Sequence, residues 1–215
     1  MFTKELLSQL SNSKVVAGFS IEKVEDAIPI AKALFAGGIE VIELTLRTNS
    51  ALDAVKCIAE SVPEIVLGVG TILTPEQAIQ IKQAGADFGV SPGMNPDVIK
   101  TAQKMDFPFA PGIATPSELE AAIALGCRFV KFFPAEANGG VKYLKSMSTP
   151  YKHLGIKYFP LGGLNVENMN SYLDYDDVIA IGGSWIVDST LVEAKDWIGL
   201  TNRAAEVRTA VTKNR

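Results

Sequence analysis

The sequence predicts a single α/β domain, a (β/α)8 TIM barrel with an N-terminal helix capping one end. Eight short apolar runs rich in β-branched residues alternate with amphipathic stretches along the 215 residues, and no linker separates them. Such alternation is typical of a parallel sheet covered by helices. We therefore expect residues 1–215 to form one domain. A doubly wound open sheet is the alternative, although no glycine-rich dinucleotide fingerprint follows the first strand.

The predicted strands are short apolar segments bounded by turn residues or by helical patterns. They cover residues 15–19, 41–46, 65–69, 87–91, 108–111, 128–133, 157–161 and 178–182.

Helices are predicted between the strands, for example over residues 22–36, 75–84 and 116–125, and a closing helix is expected from about residue 190. Thr74 and Thr115 each precede a proline, which predicts a threonine N-cap with proline at the first helical position. We expect three of the helices to end in glycine, at Gly37, Gly85 and Gly126.

The N-terminal segment MFTKELLSQL predicts a short amphipathic helix and lacks the apolar stretch of a secretory signal. A cytoplasmic location is therefore expected, and Cys57 and Cys127 are predicted to be free thiols in apolar surroundings. The net charge of −4 without a basic cluster argues against a nucleic-acid or anionic-membrane partner. His153 is the only histidine and is predicted to lie on the surface, so no zinc-type ligand set, and no metal, is expected.

Lys131 lies in the middle of the apolar run RFVKFFP, residues 128–134. Burial disfavours the ammonium form of a lysine, and the neutral amine is a nucleophile toward carbonyl carbon. Because strand side chains alternate, Lys131 is expected to face the barrel interior together with Phe133. The alternative is a lysine that extends from an ordinary strand into solvent.

Glu43 is expected to face the same interior, because Ile42 and Leu44 suit the layer of helices. A lysine Schiff base withdraws electrons from a 2-keto acid, and a nearby carboxylate can then move protons. The alternative for Glu43 is a structural ion pair with Arg47 or Lys131. Arg47 ends the same strand and suits a substrate carboxylate, or else it is an ordinary surface arginine.

Small residues predict space for a ligand in this interior. Gly18, Gly68, Gly70 and Gly89 are each expected to face inward. A packed barrel normally prefers bulky branched side chains there, so glycines indicate either a small-molecule cavity or local strand curvature.

Two glycine pairs follow the last two predicted strands: Gly162-Gly163 and Gly182-Gly183, the second followed by Ser184. Loops at these places in (β/α)8 barrels often bind phosphate, because glycine amides can approach its oxygens closely. A phosphorylated ligand is therefore predicted.

Six segments together resemble the bacterial 2-dehydro-3-deoxy-6-phosphogluconate (KDPG) aldolases, many of which also cleave 4-hydroxy-2-oxoglutarate (KHG). They are ELTLRT (43–48), GVGT (68–71), SPG (91–93), PGIAT (111–115), KFFPAE (131–136) and IGGSW (181–185). The resemblance runs from about residue 15 to residue 185, in order and with compatible spacing.

The resemblance implies a metal-independent class I aldolase without a cofactor, forming a homotrimer of (β/α)8 barrels. It would cleave KDPG, in the Entner–Doudoroff pathway, to pyruvate and glyceraldehyde 3-phosphate, and KHG to pyruvate and glyoxylate. Lys131 matches the Schiff-base lysine and Glu43 matches the general acid/base. The substrate-binding matches are Arg47 and Thr71 for the pyruvyl carboxylate, Pro92 and Phe133 for the pocket walls, and Gly162, Gly163, Gly182, Gly183 and Ser184 for the phosphate end.

Leu161 departs from the family pattern, which typically has threonine before the first glycine pair. A related galactonate-pathway aldolase also carries an apolar residue there. An aldolase for 2-dehydro-3-deoxy-6-phosphogalactonate therefore stands as an alternative to KDPG cleavage. A separate alternative, independent of Leu161, is a non-catalytic barrel that binds phosphorylated metabolites.

Overall fold

A computed structural model describes residues 1–212 of the chain, and nine parallel strands run through this part. Each of the eight predicted strands overlaps an observed one. Two differences are that β6 lies just beyond the fifth predicted strand and that β9 begins three residues later than the eighth. The strands are β1 (Val15–Phe19), β2 (Val41–Thr45), β3 (Val66–Gly70), β4 (Phe88–Val90), β5 (Phe109–Ala110), β6 (Gly112–Ile113), β7 (Phe129–Phe132), β8 (Lys157–Pro160) and β9 (Ile181–Gly183).

The strands form two curled parallel sheets. Six strands hydrogen-bond in the order β5-β4-β3-β2-β1-β9, and three more in the order β6-β7-β8. The first strand thus pairs with the last, with Val15 beside Ile181. In the doubly wound alternative the strand order would reverse in the middle of the sheet. The larger sheet has no such reversal.

The predicted single closed barrel is found only in part. Pro111 lies between β5 and β6; its carbonyl accepts a hydrogen bond from the Lys131 N–H at 2.9 Å, but it has no N–H to donate in return. Between β8 and β9 the chain forms only isolated bridges, Tyr158 with Val178 and Leu161 with Gly182. The observed architecture is therefore an α/β fold of parallel strands in two curled sheets.

Ten α-helices, with three short 3₁₀ helices, alternate with these strands in residues 1–212. The α-helices are α1 (Lys4–Ser13), α2 (Ala27–Ala36), α3 (Ala51–Ser61), α4 (Pro75–Gln83), α5 (Pro96–Lys104), α6 (Pro116–Ala124), α7 (Gly140–Ser148), α8 (Met169–Leu173), α9 (Ser189–Glu193) and α10 (Trp197–Thr212). The 3₁₀ helices are Val24–Asp26, Thr149–Leu154 and Ser184–Ile186. The predicted closing helix is thus two helices, α9 and α10.

The predicted helix ends are largely confirmed. Thr74 and Thr115 each form a capping box, in which the threonine hydroxyl accepts the third N–H of the helix. Gly85 and Gly126 follow α4 and α6 with φ angles of 95° and 83°, where glycine avoids the steric cost of a side chain. Gly37 caps α2 at a φ of −82° and has no such requirement.

The two faces of the strands belong to two different buried clusters. Ile42, Leu44, Val130 and Phe132 belong to the cluster between strands and helices. A second cluster fills the inner face of the curled sheets, and it contains Val41, Phe88, Phe129 and Phe159 together with Leu6 and Leu10 of α1. The inward direction predicted for alternate residues of β2 and β7 is therefore confirmed.

Helix α1 closes the interior at the N-terminal ends of the strands, as predicted. The Phe2 ring, just before this helix, lies 5.9 Å from the Phe88 ring and 4.8 Å from the Phe129 ring, measured between centroids. Leu10 is fully buried in the same cluster. Helix α1 does not fill this end completely, because a cavity of about 300 Å³ is lined by Phe2, Leu7 and Phe129. Another cavity lies at the opposite, C-terminal ends of the strands.

The inward glycines are confirmed with one exception. A Cβ at Gly68 would meet the ring of Phe88, and Gly18 faces open space, with Gly183 main-chain atoms 3.8 Å from a Cβ built there. Gly89 instead faces the helices, where its Cβ would meet Ile72 and Phe107. The expectation for Gly89 was wrong because its neighbours in β4, Phe88 and Val90, occupy the interior.

Both cysteines are free thiols, and burial raises the pKa of the Cys127 thiol to about 11. His153 is exposed, as predicted. Across residues 1–212 the helices all fall short of the length and apolar character that crossing a bilayer requires.

We expect Leu10→Ala to lower the free energy of unfolding by about 2–5 kcal/mol, because it leaves a cavity where α1 packs into the interior. Urea unfolding followed by circular dichroism measures this. Ser8→Ala on the exposed face of α1 is the matched control and should change stability by less than about 0.5 kcal/mol. Equal effects of the two substitutions would show that α1 does not close the interior.

Candidate active site

Lys131 and Glu43 meet inside the curled sheets. The Lys131 Nζ atom donates a hydrogen bond to Glu43 Oε1 at 3.0 Å, and the residues are 5% and 1% exposed. Both side chains project from the inner face of their strands, Glu43 from β2 and Lys131 from β7. The space that Glu43 occupies is left free by Gly70 on the neighbouring strand β3. The interpretation of Lys131 as a lysine that reaches solvent is thereby excluded.

The Glu43 carboxylate is only half satisfied. Its Oε2 atom is buried without a hydrogen-bond partner among the described residues. Gly70 is required at its position, because a Cβ there would lie 1.9 Å from Glu43 Oε1. A buried polar atom without a partner is costly, so Oε2 has a strong tendency to bind a donor that a ligand brings.

A cavity of about 340 Å³ opens above this pair at the C-terminal ends of the strands. Its lining includes Glu43, Lys131, Phe133 and Arg47, and the Lys131 Nζ atom lies 5.3 Å from the centre of the Phe133 ring. Arg47 is exposed at the rim, and its guanidinium forms no ion pair within residues 1–212. The alternative pairing of Glu43 with Arg47 is therefore not what the structure has.

Glycines form the far wall of this cavity. Gly162, Gly163, Gly183 and Ser184 line it, as does Leu161, which is 7% exposed. Gly162 and Gly163 have φ angles of 97° and 83°, a region that strongly favours glycine.

The carbonyl groups of Gly162 and Gly163 accept hydrogen bonds, whereas their N–H groups have no partner within the described chain. The Gly162 carbonyl accepts a hydrogen bond from the Glu136 N–H at 3.0 Å, and the Gly163 carbonyl accepts one from Asn168 Nδ2 at 3.1 Å. Within the described chain, neither glycine N–H has a partner, nor has the Ser184 hydroxyl. These donors can therefore serve an anionic group of a ligand.

Three residues predicted for the site lie outside the cavity lining that the described residues form. Thr71 follows β3 and has a φ of 63°, which is unusual for a residue other than glycine. Pro92 lies after β4, where its carbonyl is close to Gly112. Gly182 lies in β9 below Leu161, whose side chain a Cβ at Gly182 would meet at 2.7 Å. Their roles in binding stay predictions.

Sequence reasoning missed a pair of hydroxyl groups at the cavity. Ser20 Oγ and Thr45 Oγ1 lie 2.6 Å apart, and Thr45 Oγ1 also donates to the Phe19 carbonyl at 3.2 Å. Both residues line the cavity. The positions of the two residues in the sequence could have indicated this pair. Ser20 directly follows β1, and Thr45 shares the inward face of β2 with Glu43.

The arrangement suits carbonyl chemistry on a 2-keto acid. It combines an amine that can add to a carbonyl, a carboxylate at hydrogen-bond distance that can carry the proton, and donors for anionic groups at both ends of the cavity. Within residues 1–212, no group of three or more His, Cys, Asp or Glu side chains is arranged to hold a metal ion.

Comparison with known proteins identifies the family. The family model for KDPG and KHG aldolase matches residues 6–202. The chain is 43% identical over 199 residues to the KHG/KDPG aldolase of Escherichia coli K12, covering 93% of this chain and 92% of that protein. It is 37% identical over 205 residues to the 2-dehydro-3-deoxy-phosphogluconate aldolase of Haemophilus influenzae, with 95% and 96% covered.

A solved structure agrees with these sequence relatives. The KDPG aldolase of Legionella pneumophila, in which pyruvate was captured at low pH as a covalent carbinolamine, matches with a TM-score of 0.90 and 37% identity. The match covers 96% of this chain and 98% of that one. The resemblance predicted from the six sequence segments is confirmed, and the chain belongs to the KDPG and KHG aldolase family, whose members are carbon–carbon lyases.

Proposed function

We propose that this chain is a class I aldolase that cleaves 2-dehydro-3-deoxy-6-phosphogluconate to pyruvate and glyceraldehyde 3-phosphate, and also cleaves 4-hydroxy-2-oxoglutarate to pyruvate and glyoxylate. The observation that carries the proposal is the 3.0 Å contact between Lys131 Nζ and Glu43 Oε1 inside the cavity. A binding protein without catalysis has no need for a buried amine beside a carboxylate. The named activities of the relatives support the same reaction.

The reaction begins when Lys131 passes a proton to Glu43 and its amine adds to the C2 carbonyl of the keto acid. Loss of water from the resulting carbinolamine gives an iminium ion. Cleavage of the C3–C4 bond sends its electron pair into the iminium, while the C4 hydroxyl loses its proton to a base and becomes the aldehyde. Protonation of the enamine and hydrolysis then release pyruvate, and Glu43 is the group placed to carry these protons.

Groups at the two ends of the cavity are suited to the two anionic groups of the substrate, its carboxylate and its phosphate. Arg47 can hold the substrate carboxylate through its planar guanidinium, because it lines the cavity without an ion-pair partner within the described chain. The free amides of Gly162 and Gly163 and the Ser184 hydroxyl suit the phosphate. Thr71, Pro92, Phe133, Gly182 and Gly183 keep the substrate-binding roles that the family resemblance implies.

The proposal also covers the closure of the barrel, the oligomeric state and the cellular location. The pairing of β1 with β9 and the bridges between β8 and β9 support closure of the two sheets into one (β/α)8 barrel, with residues 1–215 as a single domain. A homotrimer is expected from the family resemblance, and a cytoplasmic location suits the free thiols of Cys57 and Cys127.

Leu161 supports a second candidate, the aldolase for 2-dehydro-3-deoxy-6-phosphogalactonate. Its apolar side chain lines the same cavity as Glu43, Lys131 and the glycine pair. A hydroxyl at this position could bind one C4 epimer better than the other, whereas leucine offers no donor or acceptor.

Lys131→Arg should abolish covalent capture of pyruvate, because guanidinium stays protonated and cannot add to a carbonyl. Borohydride reduction in the presence of pyruvate, followed by intact-mass measurement and peptide mapping, tests this. Lys145→Arg is the control and should still be labelled at Lys131. Labelling of Lys142 or Lys145 in the unaltered protein would reject Lys131 as the nucleophile.

Glu43→Gln should leave pyruvate capture detectable while lowering turnover about 10²–10⁴-fold, because the amide keeps the shape of the side chain but cannot carry protons. Steady-state cleavage coupled to a dehydrogenase for pyruvate measures the loss. Near-normal turnover would reduce Glu43 to a structural partner of Lys131.

Leu161→Thr should change the ratio of cleavage efficiencies for the gluconate- and galactonate-derived substrates by around tenfold, the effect of about one neutral hydrogen bond. The ratio of kcat/KM for the two epimers is measured in both proteins. An unchanged ratio would mean that Leu161 only fills space.

A further inference from the structure

Glu136 lies directly against the glycine pair Gly162-Gly163 in the wall of the cavity. Its N–H donates a hydrogen bond to the Gly162 carbonyl at 3.0 Å. A Cβ built on Gly163 would lie 2.6 Å from the Cβ atom of Glu136 and 2.9 Å from its Cγ atom. The stem of the Glu136 side chain therefore occupies the space next to Gly163.

Tyr172 holds the carboxylate of Glu136 in place. This tyrosine belongs to α8 and is fully buried, and its hydroxyl donates a hydrogen bond to Glu136 Oε1. A hydrogen bond to an ionised acceptor is roughly twice as strong as one between neutral groups. Burial, followed by the hydrogen bond to the Glu136 carboxylate, raises the pKa of Tyr172, so the hydroxyl remains a donor at neutral pH.

A second contact connects the glycine pair to the same helix. Asn168 directly precedes α8, and its Nδ2 atom donates a hydrogen bond to the Gly163 carbonyl at 3.1 Å. Helix α8 is thus linked to Gly163 twice, once through Asn168 and once through Tyr172 and Glu136. These contacts leave the N–H groups of both glycines without a partner among the described residues.

The direction of these N–H groups decides whether they can bind an anion. Neither Glu136 nor Tyr172 is among the residues that line the cavity, so any effect of theirs on a ligand has to pass through the glycine pair. Hydrogen bonds weaken steeply as the angle at the hydrogen decreases. Glycine is also the residue whose main chain is least restricted, so its neighbours determine where its N–H points. The contacts of Glu136 and Tyr172 provide this restriction.

We propose that Glu136 and Tyr172 are positioning residues for the phosphate of the substrate. Tyr172 fixes the side chain of Glu136, and Glu136 fixes the main chain of Gly162 and Gly163. The two glycine N–H groups are thereby held in the direction that the phosphate needs. The inference rests on the proposed aldolase function and adds two residues outside the cavity to its recognition of phosphorylated substrates.

The test compares a phosphorylated substrate, KDPG, with KHG, which is shorter and has no phosphate. Tyr172→Phe removes the hydroxyl and keeps the ring. The ratio of kcat/KM for KDPG to that for KHG should then fall about tenfold, the effect of one hydrogen bond to a charged group. The loss should appear in KM for KDPG and not in kcat, because Lys131 and Glu43 are untouched.

Tyr175→Phe is the matched control. Tyr175 is also buried, and its hydroxyl lies 2.8 Å from Ser148 Oγ in α7, so this variant likewise loses a contact between a tyrosine hydroxyl and a side chain. Its partner is not Glu136, and the ratio for the two substrates should stay at the value of the unaltered protein. Circular dichroism confirms that both variants fold.

Variants of Glu136 test the same connection from its other end. Glu136→Gln keeps the stem and an oxygen that can accept from Tyr172, so it should retain most of the ratio. Glu136→Ala removes both and should lower the ratio at least as far as Tyr172→Phe. Since Tyr172 acts through Glu136, the double variant should lose no more than Glu136→Ala alone.

Equal losses for KDPG and KHG in Tyr172→Phe, or additive losses in the double variant, would overturn the positioning role. So would a ratio that stays unchanged in both Tyr172→Phe and Glu136→Ala. An unaltered protein that does not cleave KDPG would instead overturn the proposed aldolase function itself, so the two failures are distinguishable.

Discussion

The buried contact between Lys131 and Glu43 is the interaction on which the rest of the structure depends. Taking an ammonium and a carboxylate out of water costs several kcal/mol per ion, and one hydrogen bond at 3.0 Å does not offset this alone. A chain selected only for stability would place an apolar pair there. In the proposed reaction the two groups act together, and the fold has to support a site that costs stability.

That support is visible in the glycines and in α1. Gly70 leaves the space that Glu43 occupies, and both Glu43 and Lys131 lie within strands, so strands rather than loops position the proposed catalytic pair. Leu6 and Leu10 from α1 add to the apolar cluster of the inner face, where the strands below the pair contribute Phe88 and Phe129. Stability is thus concentrated at one end of the strands and reactivity at the other, an arrangement typical of this class of fold.

Much of this could be predicted from the sequence, because alternation along β2 and β7 assigns Glu43 and Lys131 to one face once the strands are recognised. What could not be predicted depends on three-dimensional neighbours. The inward pattern in β4 was wrong at Gly89, since a glycine between two large apolar residues gives no information about which face is filled. The break at Pro111 follows from one missing N–H, yet the run around it reads as continuous.

The closure of the interior by α1 has a consequence for the order of events during turnover. Phe2 packs against Phe88 and Phe129 at the bottom of the interior, while the exposed cavity residues Arg47 and Ser184 lie at the C-terminal rim. For the proposed site, this rim is the entrance that substrate and both products use. In the proposed reaction, pyruvate stays covalently attached to Lys131 after the carbon–carbon bond breaks, so the aldehyde must leave first. The shared entrance and the covalent attachment of pyruvate together impose an ordered release of the two products.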